Sequence, residues 1–182
     1  MAPMKVQKTR LKDVLLIEPQ VFRDSRGFFL ELYQAERYRK HGVSDTFCQD
    51  NRACSVQGVL RGLHFQIHHP QAKLIWVPGG EVYDVAVDLR RDSPTFGQWE
   101  GFRLSDKNHL QLYIPKGFAH GYCVLSESAE LVYKCSELYH PEDEGGIIWN
   151  DPDLAIDWPV ESPLLSEKDL KLPRFRDLDP VF

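Results

Sequence analysis

The sequence predicts an all-β domain, a sandwich or small barrel with few and short helices. Three observations lead there. Twelve glycines and twelve prolines punctuate the chain. Between them lie short runs rich in valine, isoleucine, leucine, phenylalanine and tyrosine, the texture of strands joined by turns rather than of βαβ units. Only two segments have the composition and stop signals of a helix.

In chain order, strands are expected at residues 14–18, 28–33, 59–66, 73–77, 81–88, 98–104, 110–114 and 130–135. Turn signals stand at Pro78-Gly79-Gly80 and at Asp92-Ser93-Pro94. Residues 81–88 come close to a half-buried strand, with Val82, Val85 and Val87 set among Glu81, Asp84 and Asp88. The alternation slips around Asp84, which allows a bulge there. The first helix is expected at residues 34–41, rich in Glu, Arg and Lys and stopped by Gly42. The second is a short turn at 166–170, where Ser166 and Asp169 resemble a capping box.

With 182 residues and 42% hydrophobic content, the chain can bury one sizeable core but hardly two, so residues 1–182 read as one domain. No repeat or low-complexity tract marks a linker. The proline- and charge-rich tail from about residue 160 is expected to wrap the core or a partner subunit. A formal net charge of -5, with acidic and basic residues mixed, argues against a broad nucleic-acid footprint. The N-terminal segment lacks an apolar leader-like run, and no apolar stretch reaches membrane-spanning length. Cys48, Cys54, Cys123 and Cys135 form no CxxC pair and read as buried free thiols. A soluble, cytoplasmic protein is the expectation.

The chemistry-bearing residues concentrate in two blocks. The first is Gly58-Val-Leu-Arg61-Gly62-Leu-His64-Phe-Gln66 followed by Lys73, and the second is Pro115-Lys-Gly117-Phe-Ala-His120-Gly121. Their order and glycine spacing resemble the two motifs of the cupins, which implies a jelly roll. The metal set of that family is broken here, with Gln66 where a second histidine belongs and the cation Lys73 near the expected glutamate. Two imidazoles and no carboxylate beside a lysine would hold a divalent ion poorly. His68 and His69 could ligate a metal only from opposite faces of a strand, so an exposed loop before Pro70 is the better reading.

Without a metal, the blocks amount to an acid–base inventory. Removing a proton beside a ketone needs a base near neutral pKa, a group to hold the enolate oxygen, and an acid on the other face. Histidine, lysine and tyrosine suit these roles. Each also has a plain structural explanation: His64 as a core histidine, Lys73 as a solvated strand residue, and Tyr133 as part of an aromatic stripe running to Tyr139.

The combination is more specific than its parts. Asp24-Ser-Arg26-Gly27-Phe-Phe29-Leu-Glu31, the block from Leu60 to Gln66, Gln71-Ala-Lys73, the His120 block, Tyr133-Lys134, Pro141-Glu-Asp-Glu144-Gly-Gly and Leu165-Ser-Glu-Lys168-Asp169 occur in one order. Together they resemble the dTDP-4-dehydrorhamnose 3,5-epimerase family. That resemblance implies that His64 is the base, Asp169 the carboxylate that orients it, Lys73 the stabiliser of the enolate and Tyr133 the opposing acid. For Asp169, helix capping is an equal alternative, and the two roles are compatible. It further implies substrate contacts from Arg26, Glu31, Gln49, Asn51, Arg61, His120, Glu144 and Lys168, with the cations mostly on the diphosphate. Phe29 and Tyr139 are expected near the thymine ring, and plain core packing is the rival reading for Phe29.

The implied substrate is a dTDP-linked 4-keto-6-deoxysugar, the implied assembly a homodimer with exchanged strands or termini, and no cofactor or metal is required. Inversion at one centre or at both is left open by the residues. Two other function classes remain: a metal-dependent cupin enzyme and a non-catalytic sugar-binding module. One departure concerns the segment from His64 to Lys73, a residue shorter than in common members of the family and carrying His68-His69 where prolines are usual.

Overall fold

A computed structural model describes residues 4–179 and 181–182. In chain order the strands are β1 (Lys5–Lys8), β2 (Leu15–Glu18), β3 (Val21–Asp24), β4 (Gly27–Leu30), β5 (Gln49–Val56), β6 (Leu60–Gln66), β7 (Lys73–Gly79), β8 (Glu81–Asp88), β9 (Trp99–Ser105), β10 (Gln111–Ile114), β11 (Phe118–Val124), β12 (Ser128–Cys135) and β13 (Glu144–Gly146). One short helix, α1 (Ala35–Lys40), follows β4. Gln34 caps it by accepting from the Arg37 amide, and Tyr38 is its buried anchor.

The strands form a six-stranded sheet ordered β1-β2-β10-β7-β12-β5 and a five-stranded sheet ordered β13-β6-β11-β8-β9. All their pairings are antiparallel. Ile75, Leu112, Ile114 and Leu131 of the first sheet pack against Val82, Ala86, Phe102 and Leu104 of the second. Such inward rows, each side chain worth about 1.5–3 kcal/mol on full burial, hold the sheets face to face as a jelly roll. The outer face of the five-stranded sheet is covered by the chain after β13: Ile147, Leu154 and Trp158, with Leu165, Leu178 and Phe182, pack on Leu60, Val85 and Val87. The tail therefore wraps the core, as the sequence suggests. The described part of the chain contains no helix long and apolar enough to cross a membrane.

Several expectations need correction. β8 is regular, with unbroken register to β11 and β9 through Asp84, so no bulge lies there. The sequence slips because β8 is covered on both faces: Val82, Asp84 and Ala86 point between the sheets, and Val85 and Val87 point to the tail. A register shift does occur between β6 and β11, where Tyr122 faces Arg61 but His120 faces His64. Cys48 and Cys54 are exposed, and only Cys123 and Cys135 are buried; all four are free. β1, β3, β5, β11 and β13 escape the sequence pattern, and the turn at 166–170 proves to be a 3-10 turn over Asp169–Lys171.

Candidate active site

The functional side chains converge in two adjoining cavities of about 300 Å3 and 360 Å3 between the sheets, which share His64, Lys73, Tyr133, Tyr139 and Glu144. β6 and β11 of one sheet supply Arg61, His64 and His120; β5, β7 and β12 of the other supply Gln49, Asn51, Lys73 and Tyr133. The bulge in β6 is what makes this work. In a regular strand residues three apart point to opposite faces, but the extra residue at Gly62-Leu63 turns both Arg61 and His64 into the cleft. Gly62 has φ +117, and a Cβ there would lie 2.6 Å from Gly121 Cα, so only glycines allow β6 and β11 to cross this closely.

His64 Nε2 lies 2.6 Å from Asp169 Oδ1. The carboxylate arrives from the 3-10 turn of the tail, where the Asp169 amide also donates to Ser166 Oγ at 3.1 Å. The Asp169 carboxylate thus serves His64, and the 3-10 turn has no side-chain cap; only the Asp169 amide is held, by Ser166. Burial works to raise the Asp169 carboxyl, but the hydrogen bonds from His64 and Ser166 outweigh it and hold the carboxyl below the usual aspartate range. Glu144 repeats this balance: burial raises it, while Lys168 Nζ at 2.7 Å and the Tyr139 hydroxyl at 2.6 Å bring it net lower.

Lys73 Nζ stands 5.8 Å from the centre of the Tyr133 ring. Desolvation in the cleft lowers the lysine, against the opposing fields of Cys135, Asp84 and Glu144. Burial pushes the Tyr133 phenol up to about 12, so it is protonated at neutral pH. Gln49 donates to Asn51 Oδ1 at 3.0 Å and accepts from the Tyr139 amide at 3.0 Å, while Arg61 donates to Ser55 Oγ at 3.2 and 3.1 Å.

His120 is buried, and its Nε2 is 2.9 Å from Asp84 Oδ2. Burial lowers this histidine, Asp84 pulls the other way, and Lys73 and His64 add to the lowering. Asp84 is a residue that sequence reasoning missed as part of the site. Its signal was present: a carboxylate in an inward phase of a strand, which is tolerated only when paired.

Gln66, at the position of a cupin metal ligand, is occupied otherwise. Its amide donates to His69 O and Leu138 O at 2.7 and 3.0 Å, and its carbonyl accepts from the His140 amide at 2.7 Å. His68 and His69 do lie in an exposed loop, whose amides donate to Asp143. Among the described residues, no three His, Cys, Asp or Glu side chains gather as a metal site.

Arg26, Phe29 and Glu31 do not reach this cleft. They belong to the β3–β4 ribbon and the segment after it, where Arg26 pairs with Asp24 and Glu31 with Arg37. Phe29 is 69% exposed, which removes the core-packing reading for it. It borders instead an apolar groove of about 650 Å3 with Trp76, Pro78 and His109. That groove is larger than either cavity of the cleft but lacks the histidine, lysine and tyrosine that converge there.

Comparison with known proteins identifies the family. The profile of the dTDP-4-dehydrorhamnose 3,5-epimerase family matches residues 8–177. A dTDP-4-dehydrorhamnose 3,5-epimerase of Pseudomonas aeruginosa is 54% identical over 97% of this chain and 98% of its own. One from Methanothermobacter thermautotrophicus is 49% identical over 100% of both chains. Among solved structures, the dTDP-6-deoxy-D-glucose-3,5-epimerase of Legionella pneumophila in complex with dTDP-4-keto-L-rhamnose superposes with a TM-score of 0.94 at 50% identity, covering 97% of this chain and 95% of that one.

Proposed function

The chain belongs to the dTDP-4-dehydrorhamnose 3,5-epimerase family and is an isomerase, and on that premise we propose that it inverts C3 and C5 of dTDP-4-dehydro-6-deoxy-D-glucose to give dTDP-4-dehydro-L-rhamnose. One observation carries the reading: a histidine held by a carboxylate and a protonated tyrosine face each other from opposite sheets across one cleft, with a lysine beside the tyrosine.

With Nε2 of His64 engaged by Asp169, the other ring nitrogen keeps the lone pair. It takes the proton from the carbon beside the C4 ketone, and the bonding electrons move to the carbonyl oxygen as an enolate. The Lys73 ammonium stabilises that oxyanion. Tyr133 then delivers a proton to the opposite face, and the imidazolium and phenolate exchange protons with solvent before the second centre reacts. Both carbons are acidified by the same ketone, so one base serves both. The steps balance in atoms and electrons with no redox partner. Arg61 and Lys168 are the cations for the diphosphate, His120 and Glu144 contact the sugar end, Gln49 and Asn51 line its approach, and Tyr139 stacks at the base.

The same reading assigns Arg26, Phe29 and Glu31 to the site of a second subunit in a homodimer. Support comes from the β3–β4 ribbon, which pairs with neither large sheet and exposes Phe22, Phe28 and Phe29. Four free thiols support a cytoplasmic setting for one jelly-roll domain spanning 1–182.

Proton NMR of the protein with dTDP-4-dehydro-6-deoxy-D-glucose in heavy water tests the reaction. Deuterium at C3 and C5 is expected; deuterium at C3 alone would make it a single-centre epimerase, and none would remove the reading. Mixing inactive Arg26→Ala and His64→Ala proteins tests the shared site, since a mixed dimer would regain one intact cleft. No recovery after subunit exchange would leave each chain with its own complete site.

A further inference from the structure

Between β12 and the 3-10 turn at Pro141–Asp143, residues 136–140 belong to no strand or helix. Such a segment ordinarily leaves its backbone polar groups to water. Here four consecutive residues are held by the side chains of three glutamines. Gln71 Nε2 donates to Glu137 O at 2.9 Å, and Gln66 Nε2 donates to Leu138 O at 3.0 Å. The Tyr139 amide donates to Gln49 Oε1 at 3.0 Å, and the His140 amide to Gln66 Oε1 at 2.7 Å. The three glutamines come from the start of β5, the end of β6 and the approach to β7, and all of them line the 300 Å3 cavity.

Gln66 is central to this arrangement. It is buried, and its amide donates also to His69 O at 2.7 Å, so both amide hydrogens and the carbonyl oxygen are engaged. Its two bonds to the segment fall on Leu138 and His140, the residues on either side of Tyr139. Tyr139 itself is 49% exposed, with its hydroxyl on Glu144 and its ring at the wall of both cavities. An aromatic ring that core packing does not hold takes its direction from its backbone. A backbone fixed in advance lowers the ordering cost of stacking a flat ligand on that ring.

We propose that Gln66, supported by Gln71, is a positioning residue for nucleobase binding: it holds the backbone on both sides of Tyr139, so that the ring is set for stacking before the nucleotide arrives. The inference rests on the reading that Tyr139 stacks at the base. It gives the buried amide of Gln66 a part in recognition, exerted through a neighbour and without contact to the reacting atoms.

Gln66→Met keeps the length of the side chain and removes its hydrogen bonds. Calorimetric titration with dTDP should show an affinity loss of about tenfold, and KM for the sugar nucleotide should rise with kcat changed less. A double-mutant cycle separates positioning from plain structural support. In a Tyr139→Ala background the same Gln66→Met change should cost no further dTDP affinity. A loss that persists without Tyr139 would overturn the proposal, as would a lowered melting temperature with unchanged dTDP affinity. If Gln66→Met does not fold, Gln71→Met carries the same cycle, with a smaller loss expected because it gives up the Glu137 bond alone. A parent protein that binds no dTDP overturns the nucleobase reading together with this inference, whereas dTDP binding that the variant matches overturns this inference alone. If the parent exchanges no deuterium, the epimerase reading falls by itself, and the dTDP cycle still decides the role of Gln66.

Discussion

Two histidine–aspartate pairs meet the cleft that Lys73 also lines, and they are not equivalent. In His64–Asp169 the distance is 2.6 Å, the imidazole is 29% exposed to the cleft, and the carboxylate comes from the tail. In His120–Asp84 the distance is 2.9 Å, the imidazole is 8% exposed, and the carboxylate, fully buried, comes from the neighbouring strand β8, two residues along from the partner of His120. The first pair is open to the cleft and to water, as the proposed base must be. The second lies deeper in the cleft, where burial holds its histidine towards the neutral form. On the proposed mechanism, identical side-chain chemistry serves as a base in one place and as a hydrogen-bonding group in the other.

Four experiments can break or sharpen that contrast. The largest effect is expected for His64→Ala, which should slow deuterium wash-in at C3 and C5 by roughly a thousandfold; an equal loss in His120→Ala would erase the distinction. Tyr133→Phe should stop inversion by about a hundredfold or more while leaving wash-in on the His64 face within about tenfold, as read by NMR against a coupled reductase assay. Equal loss of both would remove Tyr133 from the acid role.

Next in size, Asp169→Asn should cost kcat about a hundredfold while lowering the urea midpoint less than a break of the deeper pair does, because His64 keeps access to water. Asp84→Asn should do the reverse, costing about 3 kcal/mol of stability by breaking a buried pair and under tenfold in kcat. The smallest effect is the pH dependence of stability. His120 is lowered in the folded state, so its contribution is complete above the ordinary histidine value of 6.5 and is lost as pH falls through its folded value. Asp169 is lowered from 3.8, so its contribution is complete above that value and is lost only in stronger acid. His120→Gln should flatten the upper window of a urea-midpoint titration and Asp169→Asn the lower one.

The sequence pattern revealed the strands whose inward faces are apolar, such as β7, and missed those whose inward faces are the site. β5 turns Gln49, Asn51, Ala53 and Ser55 inward and so shows no hydrophobic alternation. β11 is buried along its whole length and interrupted by His120 and Gly121, which read as a motif instead of a strand. Asp84 was visible only as a broken alternation, which suggested a bulge where the structure has a buried, hydrogen-bonded histidine–aspartate pair. Motif order identified His64, Lys73, Tyr133 and Asp169, and the cleft unites all four. It also named Arg26, Phe29 and Glu31, which the fold of one chain leaves outside.

What the sequence alone determined was the β texture, the glycine-spaced blocks and the inventory of acid, base and cation. Those follow from local propensity and from residue types that few chemistries use together. Only the tertiary structure decided which carboxylate serves which histidine. It also decided that Arg61 and His64 share a face. These depend on a bulge, on the crossing of two glycines and on a tail that returns from far along the chain. Each is a long-range packing choice that strand periodicity does not encode.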